Sequence, residues 1–191
     1  MFKKQYSIIS QVFQRYYIEN GEELQISDWR EMPYYVCYIG TQLKPLHSGL
    51  KCDEIFQMGS DGHFEDHRNT SYGWHKDEMW FNKKKQPMQS NIGYSYMTFY
   101  LPDGAWVNFN CSRYIFIDVN GNKKPNTVGR DIFYFLIPKT RISPNFFDID
   151  DIAVPNSCEG GTYYSRLTPE NYEEDCKNGI GWGCSPLYIL E

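Results

Sequence analysis

From Phe2 to Glu19 the apolar residues fall at Phe2, Tyr6, Ile9, Phe13 and Tyr16 or Tyr17. Steps of three and four put these on one face of a helix. Gln5, Gln11, Gln14 and Arg15 lie elsewhere, and Asn20-Gly21 supplies a stop. An amphipathic helix is expected there. A second kind of pattern begins at Tyr94. Tyr96 to Leu101 is a run of aromatic and other large residues that reads as a strand, Pro102-Asp103-Gly104 as a tight turn, and Ala105 to Phe109 as the returning strand. Tyr114 to Ile117 and Ile132 to Ile137 are two further strand-like runs. The loop between them contains Asn120-Gly121, Pro125-Asn126 and Gly129, all turn formers, with Asp118 at its opening and Asp131 at its close.

A helix followed by four sequential antiparallel strands predicts an α+β fold, with the helix packed on one face of the four-stranded sheet. Between them, Glu22 to Asn91 carries little regular pattern. Ser27 could cap a short helix, Val36 to Ile39 either ends one or forms a strand, and Ser60 to Ser71 reads as surface loop. After Pro138 the chain reads as loop to Thr162, with an acidic cluster of Asp148, Asp150 and Asp151. Thr168-Pro169-Glu170 starts a helix that ends near Asn178-Gly179. The glycines at 179, 181 and 183 follow that helix, so they cannot aim a helix N-terminus at phosphate; they read as a turn pinned by Cys184. One domain results: helix over 1–20, a long patternless insertion over 21–93, sheet over 94–137 and a disulfide-pinned, Cys-containing region over 138–191.

Composition sharpens this. Aromatics are 17% of 191 residues, with 16 Tyr and 12 Phe, which favours a β-rich body with large buried anchors. A net charge of −5 argues against a nucleic-acid-binding surface, and Lys83-Lys84-Lys85 reads as a solvated turn. Six cysteines at wide spacing suggest disulfides and an oxidising compartment, against the alternative of six reduced, buried thiols. Of the 15 pairings that six cysteines allow, the local choice is Cys176 with Cys184, then Cys37 with Cys52.

Three stretches carry a family resemblance. They are Lys3-Lys4-Gln5-Tyr6-Ser7-Ile8-Ile9-Ser10 at the start, Asp118 to Phe133 in the middle, and Gly181-Trp182-Gly183-Cys184 with Leu187 to Leu190 at the end. Together they resemble bacterial type IV pilin-like and type II secretion pseudopilin proteins over about a third of the chain. The resemblance implies a structural subunit of a surface filament, with other pilin or pseudopilin subunits as partners. It places the protein at the cell surface, held in the inner membrane before assembly by an apolar N-terminal helix. No signal peptide and no apolar run of membrane-spanning length is present, so the expectation is that an N-terminal segment is missing. The face of Phe2, Tyr6, Ile9, Phe13 and Tyr16 would then contact neighbouring helices, and 21–93 would be the variable surface.

The Asp118 loop is the candidate metal site. Asp118, Asn120 and Asn122 imitate the first ligands of an EF-hand, but the glycine comes two places early and the twelfth position is Gly129 where a glutamate is needed. The resemblance implies that calcium could be held in another geometry by Asp118, Asn120 and Asp131. The plainer reading is that these side chains cap backbone N–H groups in an ordered turn. His63 and His67 lie on a poor helix and lack a zinc protease pattern. No serine elbow or placed carboxylate pair supports an enzyme. The alternative function is a secreted carbohydrate-binding or adhesive module gripping a glycan with Trp74 and Trp80, whereas Trp106 and Trp182 read as core.

Overall fold

The computed structural model describes residues 2–21, 32–44, 47–48, 80–88, 95–110, 114–121, 123–136 and 167–190. The Ser27 cap, the 60–71 loop, His63, His67, Trp74, Cys52 and the acidic cluster at 148–151 lie outside these residues.

Helix α1 spans Phe2–Asn20. Gly21, at φ +73°, sends its N–H to Tyr17 O, and the Asn20 amide donates to Tyr16 O; together they close the last turn. The buried stripe is Phe2, Gln5, Ile9, Val12 and Phe13. It is rotated from the expected face: Gln5 and Val12 are inside, while Tyr6 and Tyr16 flank the core. Helix α2 spans Met32–Leu43, with Pro33 in its first turn, where a missing N–H costs no helical hydrogen bond. It lies against α1 through Tyr38, whose ring meets Tyr16 edge-on at 5.0 Å and whose hydroxyl donates to Glu19 at 2.6 Å. Gly40 lets α2 approach the sheet: a Cβ there would sit 2.5 Å from the Phe99 ring. The stretch Val36 to Ile39 is thus inside a helix.

Strands β1 (His47–Ser48), β2 (Trp80–Phe81), β3 (Pro87–Met88), β4 (Ser95–Tyr100), β5 (Trp106–Asn110), β6 (Tyr114–Asp118) and β7 (Ile132–Leu136) follow. The main sheet runs β1-β4-β5-β6-β7, every neighbouring pair antiparallel. The expected four-strand meander is its body, and the two-residue β1 adds an edge. β2 and β3 form a separate small hairpin. Chain order ends with helices α3 (Tyr172–Asn178) and α4 (Cys184–Leu190). Thr168 acts one turn ahead of α3: its hydroxyl accepts the Glu170 N–H and its carbonyl accepts those of Asn171 and Tyr172.

Alternation along the strands sorts two cores. Phe99, Val107, Phe109, Ile115, Ile117, Phe133 and Phe135 face α1, α2 and α4. Phe2 stacks on Phe133 at 4.0 Å and on Phe135 at 5.2 Å. The opposite residues Trp106, Phe116, Ile132 and Tyr134 meet Trp80, Val128, Leu167 and Trp182. Helices α1, α2 and α4 together cover one face, and the second face carries an aromatic core of its own that the strand pattern alone does not announce.

Candidate functional site

Two constellations hold the candidate residues. The first is the β6–β7 loop. Asp118 is fully buried, and its Oδ1 accepts the N–H groups of Asn120 and Gly121, both at 3.0 Å. Gly121 has φ +63°, and a Cβ there would lie 2.2 Å from Gly104 O, so the close turn requires glycine. Asp131 is also buried; its Oδ2 accepts the Thr127 N–H at 3.3 Å and its carbonyl accepts the Val119 N–H at 2.8 Å. Burial pushes the Asp131 carboxyl above the usual aspartate range; the Thr127 N–H and the Arg130 charge oppose this, and the Asp118 charge adds to it.

The structure thus brings Asp118, Asn120 and Asp131 into one loop, with the two aspartates as the capping groups. Asp118 and Asp131 direct oxygens at backbone N–H groups, and Asn120 supplies a backbone N–H. Among the described residues no three His, Cys, Asp or Glu side chains come together to hold a metal. Among the described residues the loop fits the capped-turn reading, its two buried carboxylates accepting backbone N–H groups.

The second constellation is the C-terminal clasp. The Asp175 carboxylate accepts three backbone N–H groups of the α3–α4 turn: Ile180 on Oδ1 at 3.0 Å, and Gly181 at 3.2 Å and Gly183 at 2.8 Å on Oδ2. Cys176 and Cys184 form the expected disulfide, buried at both ends. Cys37 is also disulfide-bonded; Cys52, its expected partner, lies outside the described residues. Lys83 ties the β2–β3 hairpin to the clasp, its ammonium donating to Cys176 O and its N–H to Ile180 O. Gly129 fits beneath the turn: a Cβ would come 2.6 Å from Gly181 O and 2.7 Å from Cys184 Sγ. Neither the threefold use of Asp175 nor the contact of Gly129 is visible in sequence. Only the glycine run ending in Cys184 marks the place.

Two expectations are corrected by burial. Trp80 is 2% exposed, with its ring centroid 6.2 Å from Phe116 and 6.5 Å from Trp182, so it is a core anchor and cannot present a face to a glycan. Trp106 and Trp182 are core residues, as read. On α1, Phe2, Ile9 and Phe13 are buried against the chain's own sheet, and Tyr6 and Tyr16 pack at its margin. That face is used within the molecule and is not open to a neighbouring helix. The exposed apolar residues of α1 are Tyr17, at 55%, and Ile18, at 80%. Near its start, Lys4 Nζ and Gln5 Nε2 both donate to Asp103 Oδ2, at 2.8 and 2.6 Å, bolting α1 to the β4–β5 turn.

Among the described residues no helix is long and apolar enough to cross a membrane. No family model, curated protein or solved structure matches the chain.

Proposed function

We propose that this chain is a structural subunit of a type IV pilus or a type II secretion-like surface filament, acting by assembly and binding. The observation that carries the reading is architectural. An N-terminal helix lies along one face of an antiparallel meander, and a disulfide-bearing C-terminal segment follows. The motif resemblance at the start, the Asp118 loop and the C-terminus falls on these same three parts. In this reading a membrane-held apolar helix leads into α1, and the domain projects outside the cell. Because the inner face of α1 is taken, subunit contacts fall on the helix upstream of Phe2 and on its exposed end at Tyr17 and Ile18.

The test is the mass and N-terminal sequence of the native protein taken from its source membrane. An apolar helix upstream of Phe2 with a pilin-type processed end is the expected result. A native chain that begins at Met1, or that follows an ordinary signal peptide, overturns the filament reading.

A further inference from the structure

Three Asn-Gly pairs occur in the chain: Asn20-Gly21, Asn120-Gly121 and Asn178-Gly179. An asparagine followed by glycine is chemically labile, because no side chain shields the glycine nitrogen from the neighbouring carboxamide and the backbone turns freely. Attack needs that nitrogen out of its hydrogen bond and brought onto Cγ. In all three pairs the fold holds it: the Gly21 N–H donates to Tyr17 O, the Gly121 N–H to Asp118 Oδ1 and the Gly179 N–H to Asp175 O. What differs is what must open to release it. At Asn120 the acceptor Asp118 is fully buried, Gly121 is packed beneath the β4–β5 turn, and the Asn120 Oδ1 is itself buried. At Asn178 the following turn is held by three N–H bonds to the Asp175 carboxylate and closed by Cys176–Cys184. At Asn20 both residues are exposed, and a Cβ on Gly21 would meet nothing within 4 Å. The Gly21 N–H bond to Tyr17 O and the Asn20 amide bond to Tyr16 O, both 2.9 Å, sit in one terminal helical turn. Fraying of that turn breaks both together.

We propose that Asn20 is a site of spontaneous deamidation in the folded protein, while Asn120 and Asn178 are shielded by the loop cap and by the clasp. The Gly21 nitrogen bonds to Asn20 Cγ. The Cγ–Nδ2 bond breaks, and the Gly21 N–H proton passes through solvent to the departing nitrogen, which leaves as ammonia. Water then opens the resulting succinimide at either carbonyl, giving aspartate or isoaspartate. Water is the sole co-reactant, and no enzyme is required. The product replaces an amide donor with an anion at the end of α1, where backbone carbonyls already concentrate negative charge and Glu19 adds its own. The bond to Tyr16 O is lost. The turn that carries the exposed Tyr17 and Ile18 is thereby loosened.

The test incubates the oxidised, folded protein at mildly alkaline pH and follows all three positions by peptide mapping, with mass-spectrometric fragmentation that separates isoaspartate from aspartate. A parallel sample is reduced and unfolded in guanidinium. The expected result in the folded protein is conversion at Asn20 on the order of tenfold faster than at Asn120 and Asn178, because its opening is the cheapest. In guanidinium the three should react at comparable rates, since glycine follows each. An unconverted Asn20, conversion at Asn120 or Asn178 that keeps pace with it, or the same ranking after unfolding overturns the proposal. The consequence is read separately in Asn20→Asp, whose Gly21 amide should exchange its hydrogen faster than the parent's. Equal exchange would overturn the loosening of the last turn. Neither measurement depends on whether the chain assembles into a filament.

Discussion

Replacing Asp175 tests whether one carboxylate organises the α3–α4 turn. Its two oxygens accept three backbone N–H groups, one on Oδ1 and two on Oδ2. A hydrogen bond to a charged acceptor contributes about 1.5–3 kcal/mol when shielded. These are partly buried, so water recovers some of the loss and about 1 kcal/mol each is the working figure. Asp175→Ala is therefore expected to cost about 3 kcal/mol. Asp175→Asn separates the two oxygens. Its carbonyl can still accept from Ile180, but its amide then faces the Gly181 and Gly183 N–H groups, donor against donor. The alternative flip keeps the Gly181 and Gly183 bonds and sets the amide against Ile180. The better flip retains two of three bonds in neutral form, so Asn is expected to cost about 1–2 kcal/mol. Urea unfolding of the oxidised protein followed by tryptophan fluorescence reads this out. With a slope near 2–3 kcal/mol per molar, the alanine variant's midpoint falls by about 1 M. An alanine variant within about 0.5 kcal/mol of the parent, the usual range of an unremarkable surface change, would show that the turn is held by the disulfide and packing alone.

Asp118→Ala is expected to lower stability by about 2–4 kcal/mol and Asp118→Asn by clearly less, since Asn can still cap Asn120 and Gly121; urea midpoints unchanged between chelator and excess calcium complete the capping argument, and a calcium-dependent rise in the parent refutes it. Burial opposes the charge on Asp103, but the bonds from Lys4 Nζ, the Ala105 N–H and Gln5 Nε2, with the Lys4 charge, hold its carboxyl below the ordinary 3.8. A depressed carboxyl contributes stability that is present above pH 3.8 and lost as pH falls through the folded value. Thermal melts of Asp103→Asn should therefore lose less on acidification below pH 3.8 than those of the parent; parallel melting curves would contradict the bolt. Tyr38 is raised to about 12 by burial, with the Glu19 hydrogen bond and charge adding, so its contribution is whole below pH 10 and fades as pH rises towards 12. Tyr38→Phe should flatten the alkaline arm of the stability profile, and an unchanged arm would assign it elsewhere. Trp80→Ala should cost about 3–5 kcal/mol as a core truncation, and a melting temperature equal to the parent's would return Trp80 to the surface.

Local patterns were readable where one face of an element meets one core. The spacing of Phe2, Ile9 and Phe13 marked α1, and the paired aromatic runs marked the hairpin of β6 and β7. The glycine run and the short loop between Cys176 and Cys184 marked the C-terminal turn. What periodicity could not supply was tertiary partnership. Gln5 reads as a solvent-side residue because it is polar, yet it is buried, and Asp103, far along the chain, accepts its amide N–H. Trp80 sits in a stretch with no alternating pattern, so nothing near it says that Phe116 and Trp182 will enclose it. The outer wall of the second core, over the strand residues Trp106, Phe116, Ile132 and Tyr134, is assembled from a short hairpin, a loop and a turn, none of which has enough consecutive residues to show a period. For the same reason the helical face of α1 signalled burial without saying whether its own sheet or a neighbour would do the burying.

The double bond from Lys4 and Gln5 to Asp103 also sets how the domain would carry a load. A pull along α1 towards its N-terminus meets two resisting elements near the helix start: the Phe2 ring stacked on Phe133 and Phe135, and the Gln5 carboxamide, wholly enclosed and tied to the β4–β5 turn. Sliding the helix by a turn would break the bond from Gln5 Nε2 to Asp103, and a buried amide N–H left without an acceptor is costly. Tension is thereby handed to the sheet through a tight turn near the start of α1, ahead of the deeper anchors at Ile9, Val12 and Phe13.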